Sequence, residues 1–147
     1  MMKSLKSIFV LLFISSLFVA SCKKDDAQST SDILSSKTWE FEVVTTTSTD
    51  PDVVLSITFA NSLLQGTKYN FKSDGTYKIT ASDASEIESG TWTLSSDSKT
   101  LTTKETSSTD STVTAHVIKS ISTSDLKLED TQTTSDNVEY KYVLDFK

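Results

Sequence analysis

From Trp39 onward the apolar residues of this chain recur at every second position. Trp39, Phe41 and Val43 alternate with Glu40 and Glu42, and the same period returns at Tyr69 and Phe71, Tyr77 and Ile79, and Trp92 and Leu94. It continues at Val113, Ala115 and Val117, at Leu126 and Leu128, and at Tyr140, Tyr142, Leu144 and Phe146. Successive side chains of a strand point to opposite faces, so this pattern is that of half-buried strands. Helical periodicity is nearly absent. Turn signals separate the runs: Ser73-Asp74-Gly75, Ser95-Ser96-Asp97-Ser98 and Thr123-Ser124-Asp125. Glycine accepts positive φ without strain, which makes the first a good hairpin turn. Gaps this short join neighbouring strands antiparallel.

The expected fold is therefore all-β, an antiparallel up-and-down meander of about eight to nine strands whose free edges are best removed by closing into a small barrel. The least regular stretch is 45–65. Asp50-Pro51-Asp52 marks a turn there, Val53 to Phe59 reads as a further strand, and Ala60 to Gln65 as a helical turn or loop at the barrel mouth. Serine and threonine make up about a third of the chain, a composition shared by disordered stalks and threonine-rich strands. The alternation decides for strands.

The first residues carry a separate message. Met1 to Ser7 holds two lysines, Ile8 to Val19 is an apolar run broken only by Ser15 and Ser16, and Val19-Ala20-Ser21-Cys22 follows directly. This is the order of a secretory signal. The apolar run of about 12 residues falls short of the roughly 20 that a bilayer-spanning helix needs. Val19, Ala20, Ser21 and Cys22 resemble the lipobox of bacterial lipoproteins. The resemblance implies cleavage before Cys22 by signal peptidase II and attachment of lipid to its thiol. An ordinary secretory signal with an incidental cysteine is the alternative. Cys22 is the sole cysteine, so an exported chain has no disulfide partner for it. Two or three acyl chains would anchor it stably where one would be marginal.

Lys23, Lys24, Asp25 and Asp26 resemble the charged export tetrad behind the lipidated cysteine of many Bacteroidetes lipoproteins. The other reading is the start of a solvated linker. Lys23 differs from the aspartate that retains lipoproteins in the inner membrane of enteric bacteria, so the outer membrane is expected, on its periplasmic or its surface-exposed face. The expected organisation is a signal peptide at 1–21, the lipidated cysteine with a flexible tether at 22–32, and a barrel domain at 33–147.

The barrel carries a second resemblance. Leu34 to Trp39, Tyr69-Asn70-Phe71-Lys72-Ser73-Asp74-Gly75-Thr76-Tyr77, Gly90-Thr91-Trp92-Thr93-Leu94 and Lys99-Thr100-Leu101 together are similar to the small lipocalin-like domains of Bacteroidetes lipoproteins. Two features depart from lipocalins proper. Lys37 stands where they have a glycine before the first-strand tryptophan, and no arginine is present to stack on that ring. The resemblance implies a barrel of lipocalin type and transfers no binding residues.

Charge narrows the partners. The chain is −6 overall, with 14 basic and 20 acidic residues, and every basic residue is lysine. Removing Lys3 and Lys6 with the leader leaves 14 − 2 = 12 against 20, or −8. Nucleic acids and anionic lipid surfaces both require a basic face. Arginine's bidentate grip on phosphate is missing too.

No catalytic constellation is legible. His116 is the sole histidine, and alternation groups it with Thr112, Thr114 and Ile118, opposite Val113, Ala115 and Val117. That places it on the outer face or along a polar part of the barrel, without partners for a triad or a metal site. Glu86 and Glu88 share a strand face by simple alternation, and Asp50 and Asp52 flank a proline, but solvated faces explain acids in so acidic a chain. Neither cofactor nor metal is implied. The candidates for core or cavity are the aromatics Trp39, Phe41, Tyr69, Phe71, Tyr77, Trp92, Tyr140 and Tyr142, which either fill the barrel or line a pocket for an apolar ligand. Gly90 reads as a bend or bulge. The expected function is non-enzymatic binding of a small apolar ligand by an outer-membrane lipoprotein. A structural, protein-interacting or glycan-contacting surface domain with a filled barrel is the alternative.

Overall fold

Among the described residues, short polar turns and alternating sequence yield eight strands in chain order. They are β1 (Thr38–Thr46), β2 (Lys68–Phe71), β3 (Thr76–Thr80), β4 (Glu86–Leu94), β5 (Thr100–Glu105), β6 (Val113–Ile121), β7 (Leu126–Thr133) and β8 (Glu139–Phe146), with helices α1 (Thr30–Ser35) and α2 (Pro51–Leu64). The computed structural model describes residues 28–106 and 112–147. The expected signal segment, with Val19 to Cys22, and the residues Lys23 to Asp26 lie outside the described residues. Each strand pairs antiparallel with the next, and β8 returns to β1, closing the barrel.

The hairpins are set by local chemistry. At 72–75 the Asp74 carboxylate accepts from the Thr76 amide at 2.9 Å and the Thr76 hydroxyl at 2.6 Å, while Gly75 takes φ of +82°. These bonds hold the Asp74 carboxyl below the usual carboxylate range. Asp97 repeats the device, accepting from Ser95 at 2.6 Å and from the Lys99 amide at 3.2 Å. Gly90 is required by a close approach. A Cβ there would meet the Lys104 carbonyl oxygen of β5 at 2.1 Å and the Tyr77 ring at 2.8 Å, so this position lets two strands and an aromatic ring converge.

In an up-and-down barrel alternate turns gather at the same end. The turns at 72–75, 95–99 and 122–125 share an end with the start of β1 and the last residue of β8. That end is shut by α1 and filled with hydrocarbon: Leu34, Trp39, Leu101 and Leu126 have no exposed surface, and Phe41 and Phe146 are buried. The Trp39 indole N–H donates to the Leu34 carbonyl at 2.9 Å, which ties the helix to the barrel floor. Lys37 lies over the same indole, 4.5 Å from its centroid, so lysine supplies the cation on this ring. Ser29 caps α1 by accepting from the Asp32 amide at 3.1 Å. Thr30 to Asp32, expected to belong to the flexible tether, form the first turn of α1.

The second difference lies between β1 and β2. Val53 to Phe59 is helix rather than strand, and the helix runs from Pro51 to Leu64. Asp50 is its N-cap, accepting from the amides of Asp52 at 2.9 Å and Val53 at 3.3 Å. Pro51 sits where its fixed φ and missing N–H cost nothing. The β-branched run reads as strand, but a preformed helix start and burial of one face outweigh that weak preference.

α2 crosses the other end of the barrel, where the β1–β2 seam parts. Along one edge β1 pairs with β2 through Thr38 to Glu40 and that pairing then stops, while the opposite edge of β1 is paired with β8 from Phe41 to Thr46. Asn61 of α2 takes the vacant partner's place. Its side-chain oxygen accepts from the Val44 amide at 2.8 Å and its NH2 donates to the Val44 carbonyl at 3.0 Å.

Candidate functional site

Above the hydrocarbon floor the barrel is hollow. A cavity of about 440 Å³ opens beneath α2, within the range of small-molecule sites. One side is apolar: Val44 of β1, Ile57, Ala60 and Leu64 of α2, Phe71, Ile79, Leu128 and Leu144. The other is polar: Glu88 of β4, Thr103 of β5, Thr114 and His116 of β6, Asp130 and Gln132 of β7, and four tyrosines, Tyr69, Tyr77, Tyr140 and Tyr142.

The polar groups form two linked sets. Asp130 accepts from His116 Nδ1, 2.7 and 2.8 Å from its two oxygens, and from the Tyr142 hydroxyl at 3.1 Å. An ionised carboxylate offers no donor, so Nδ1 carries the proton. Gln132 extends the chain, donating to the Tyr142 oxygen at 3.5 Å and accepting from the Tyr140 hydroxyl at 3.1 Å. Across the cavity the Tyr77 hydroxyl donates to Glu88 in a very short contact.

The tyrosines register this environment. Burial, then the charges of Glu88 and Asp130, push the Tyr69 phenol up to about 12. Tyr77 is raised by burial and by its hydrogen bond to Glu88. Tyr142 is raised by burial and by Asp130. A phenolate here would lose water and face like charge.

The structure divides the aromatic candidates between the two expected roles. Trp39 and Phe41 belong to the filled floor, with the Phe41 ring 6.1 Å edge-on from Phe146. Trp92 is also core, packed edge-on at 5.9 Å beneath Phe71, its indole N–H donating to the Lys72 carbonyl at 3.0 Å. Phe71, Tyr77, Tyr69, Tyr140 and Tyr142 line the cavity.

His116 lines the cavity. Its strand is inverted relative to hydrophobic expectation, since Val113 and Val117 face outward, 60% and 45% exposed. Glu86 and Glu88 do not share a face. A bulge at Ile87 sets Ile79 against Glu88 and Thr80 against Glu86, which turns Glu88 inward and leaves Glu86 outside, 2.7 Å from Lys78. One extra residue reverses the side on which an alternating strand presents its groups. Asp50 and Asp52 belong to the α2 cap. Sequence reasoning passed over Asp130 and Gln132, although they continue the inward series Leu126, Leu128 in steps of two.

The arrangement offers hydrogen bonding and negative charge beside an apolar wall. The recorded hydrogen bonds of the imidazole run to Asp130, and Tyr142 donates to that carboxylate rather than to the histidine. Among the described residues no group of three or more histidine, cysteine or carboxylate side chains has the geometry to hold a metal ion. Among them too, no helix is long and apolar enough to cross a membrane.

No family model matches the chain. No curated protein matches its sequence. Among solved structures it is similar to a DUF4847 family protein from Bacteroides vulgatus, at 15% identity and a TM-score of 0.47, over 79% of this chain and 96% of that one.

Proposed function

We propose that this protein is a non-enzymatic binding module, held on the outer membrane by lipid on Cys22, whose barrel takes up a small ligand with an apolar body. The observation that carries the reading is the 440 Å³ cavity with one hydrocarbon wall and one hydrogen-bonding wall. Such a division orients a ligand through a few polar groups while burial of its body supplies the affinity. The anchoring rests on the lipobox-like Val19 to Cys22 and the charged residues behind it.

Native mass spectrometry of the chain extracted from its own membranes tests both parts. The expected result is a mature chain beginning at a lipidated Cys22 and a non-covalent small-molecule adduct. An unmodified Cys22 thiol or a retained 1–21 segment would overturn the anchor. A barrel that consistently carries and takes up nothing would overturn the binding role.

A second reading has its own observation. α2 is apolar on its outer side as well, with Leu55, Phe59 and Leu63 between 63% and 68% exposed at a spacing of four. One exposed apolar stripe suits a surface that contacts another protein. Cross-linking from a residue beside Phe59 that returns no repeated partner would count against it.

A further inference from the structure

The charges in the cavity wall go further than the word apolar. Two carboxylates, Glu88 and Asp130, face the space, and the described lining residues include no lysine. His116 is the sole basic group there. Neutral, it leaves two negative charges in the wall; protonated, it leaves one. The sign is the same in both states. The hydrogen-bond partner of Glu88 is a neutral phenol, Tyr77, and a partly buried carboxylate is stabilised better by a cation than by a hydroxyl.

Both acids also act on one group. Both carboxylates line the same cavity, Glu88 from β4 and Asp130 from β7, and the charges of both help to raise the Tyr69 phenol. Tyrosine rings surround that volume, and aromatic faces attract ammonium groups. An anionic head, carboxylate or phosphate, would meet like charge with no lysine to receive it. The ligand's body is left to Ile57, Leu64, Phe71 and Leu128.

Building on the binding role above, we infer that the cavity selects a cationic amphiphile: an alkyl or aryl amine whose ammonium lies between Glu88 and Asp130, with its hydrocarbon against α2 and the inner faces of β2 and β7. Neutral polar heads are accepted more weakly, and fatty acids are rejected.

The test is a calorimetric titration of the purified full chain at neutral pH with three probes of equal tail and different head: n-octylamine, n-octanol and n-octanoate. The amine is expected to bind about ten- to a hundredfold more tightly than the alcohol, as one charged hydrogen bond provides, with the carboxylate weakest. E88Q and D130N should each lower the preference for amine over alcohol by about tenfold, read as the ratio of the two affinities within each variant. If octanol or octanoate binds as tightly as the amine, the charge selection is wrong and the cavity remains a binding site for something else. If none of the three binds, the binding role itself falls, and this inference with it. The ranking on the unaltered chain decides the matter even where a variant fails to fold.

Discussion

Followed along β7 from one end of the barrel to the other, the inward positions read Leu126, Leu128, Asp130 and Gln132. The first two belong to a floor where Trp39, Leu101 and Leu126 have no exposed surface. The next two belong to a wall of hydrogen bonds facing empty space. The ends also differ in what closes them. Six-residue α1 is tied to the floor through the buried Trp39 indole, while α2 lies over a parted seam and is pinned there through Asn61. Packing density stabilises the floor, and the mouth gives up that stabilisation for volume and polarity. Dense packing and the cavity are therefore kept in separate halves of the same strands.

The largest expected effect is at the floor. Trp39→Ala should cost about 3–5 kcal/mol, because a large ring is removed from a site that cannot collapse around the gap. Tyr140→Ala, at the rim, should cost less than about 1 kcal/mol. Guanidinium unfolding of both variants measures this, and equal losses would break the contrast.

Small-to-large changes probe the same difference from the other side. Leu101→Phe overfills the floor and should destabilise by about 1–3 kcal/mol. Ala60→Leu grows into the cavity and should leave stability unchanged or raise it by up to about 1 kcal/mol, while displacing any ligand. A large loss from Ala60→Leu would mean that the mouth is as tightly packed as the floor.

Asn61→Ala should cost about 1–2 kcal/mol, since the Val44 amide and carbonyl lose their partner at a strand edge. Its signature is local. Amide exchange at Val44 and along α2 should accelerate with little change in β5 to β7.

The smallest effect distinguishes the ends by pH. The raised phenols of Tyr69, Tyr77 and Tyr142 all lie in the mouth. A group whose folded pKa exceeds its unfolded value favours the fold below the unfolded pKa, near 10, and loses that contribution as pH rises through the folded value. For Tyr69 this window runs from 10.0 to about 12. Spectrophotometric titration should show these phenols ionising late, with exchange near Tyr69 and Tyr142 rising before exchange near Trp39. Simultaneous loosening of both ends would contradict the division.

The sequence shows the strands and the floor plainly, because a strand with one buried face writes that face at every second residue. Trp39, Phe41, Leu126 and Leu128 needed nothing more. The helix over the mouth was masked by its own composition. Val53-Val54-Leu55 is apolar and begins with two β-branched residues, and α2 carries apolar residues on both sides, so no helical stripe stands out. The Asp50-Pro51 cap was its one local signal. The polar wall was hidden for a different reason. Glu88, His116 and Asp130 come from β4, β6 and β7 and meet through barrel closure, and Glu88 faces inward through a bulge that alternation alone reads backwards.

Barrel closure also bears on how the chain reaches this state. Seven of the eight strand pairings join neighbours in sequence and form by short hairpin steps, apart from the longer α2 connection. The eighth joins Phe41 to Phe146 and Thr46 to Tyr142, so it waits for nearly the whole domain to be made and ordered. Contacts this remote slow folding, since loop closure precedes any reward from packing. Until β8 arrives, the edge of β1 opposite the one held by β2 and Asn61 stays open, and a neighbouring chain can occupy it. Closure by the last strand thus rests on the pairing whose partners lie farthest apart in the sequence.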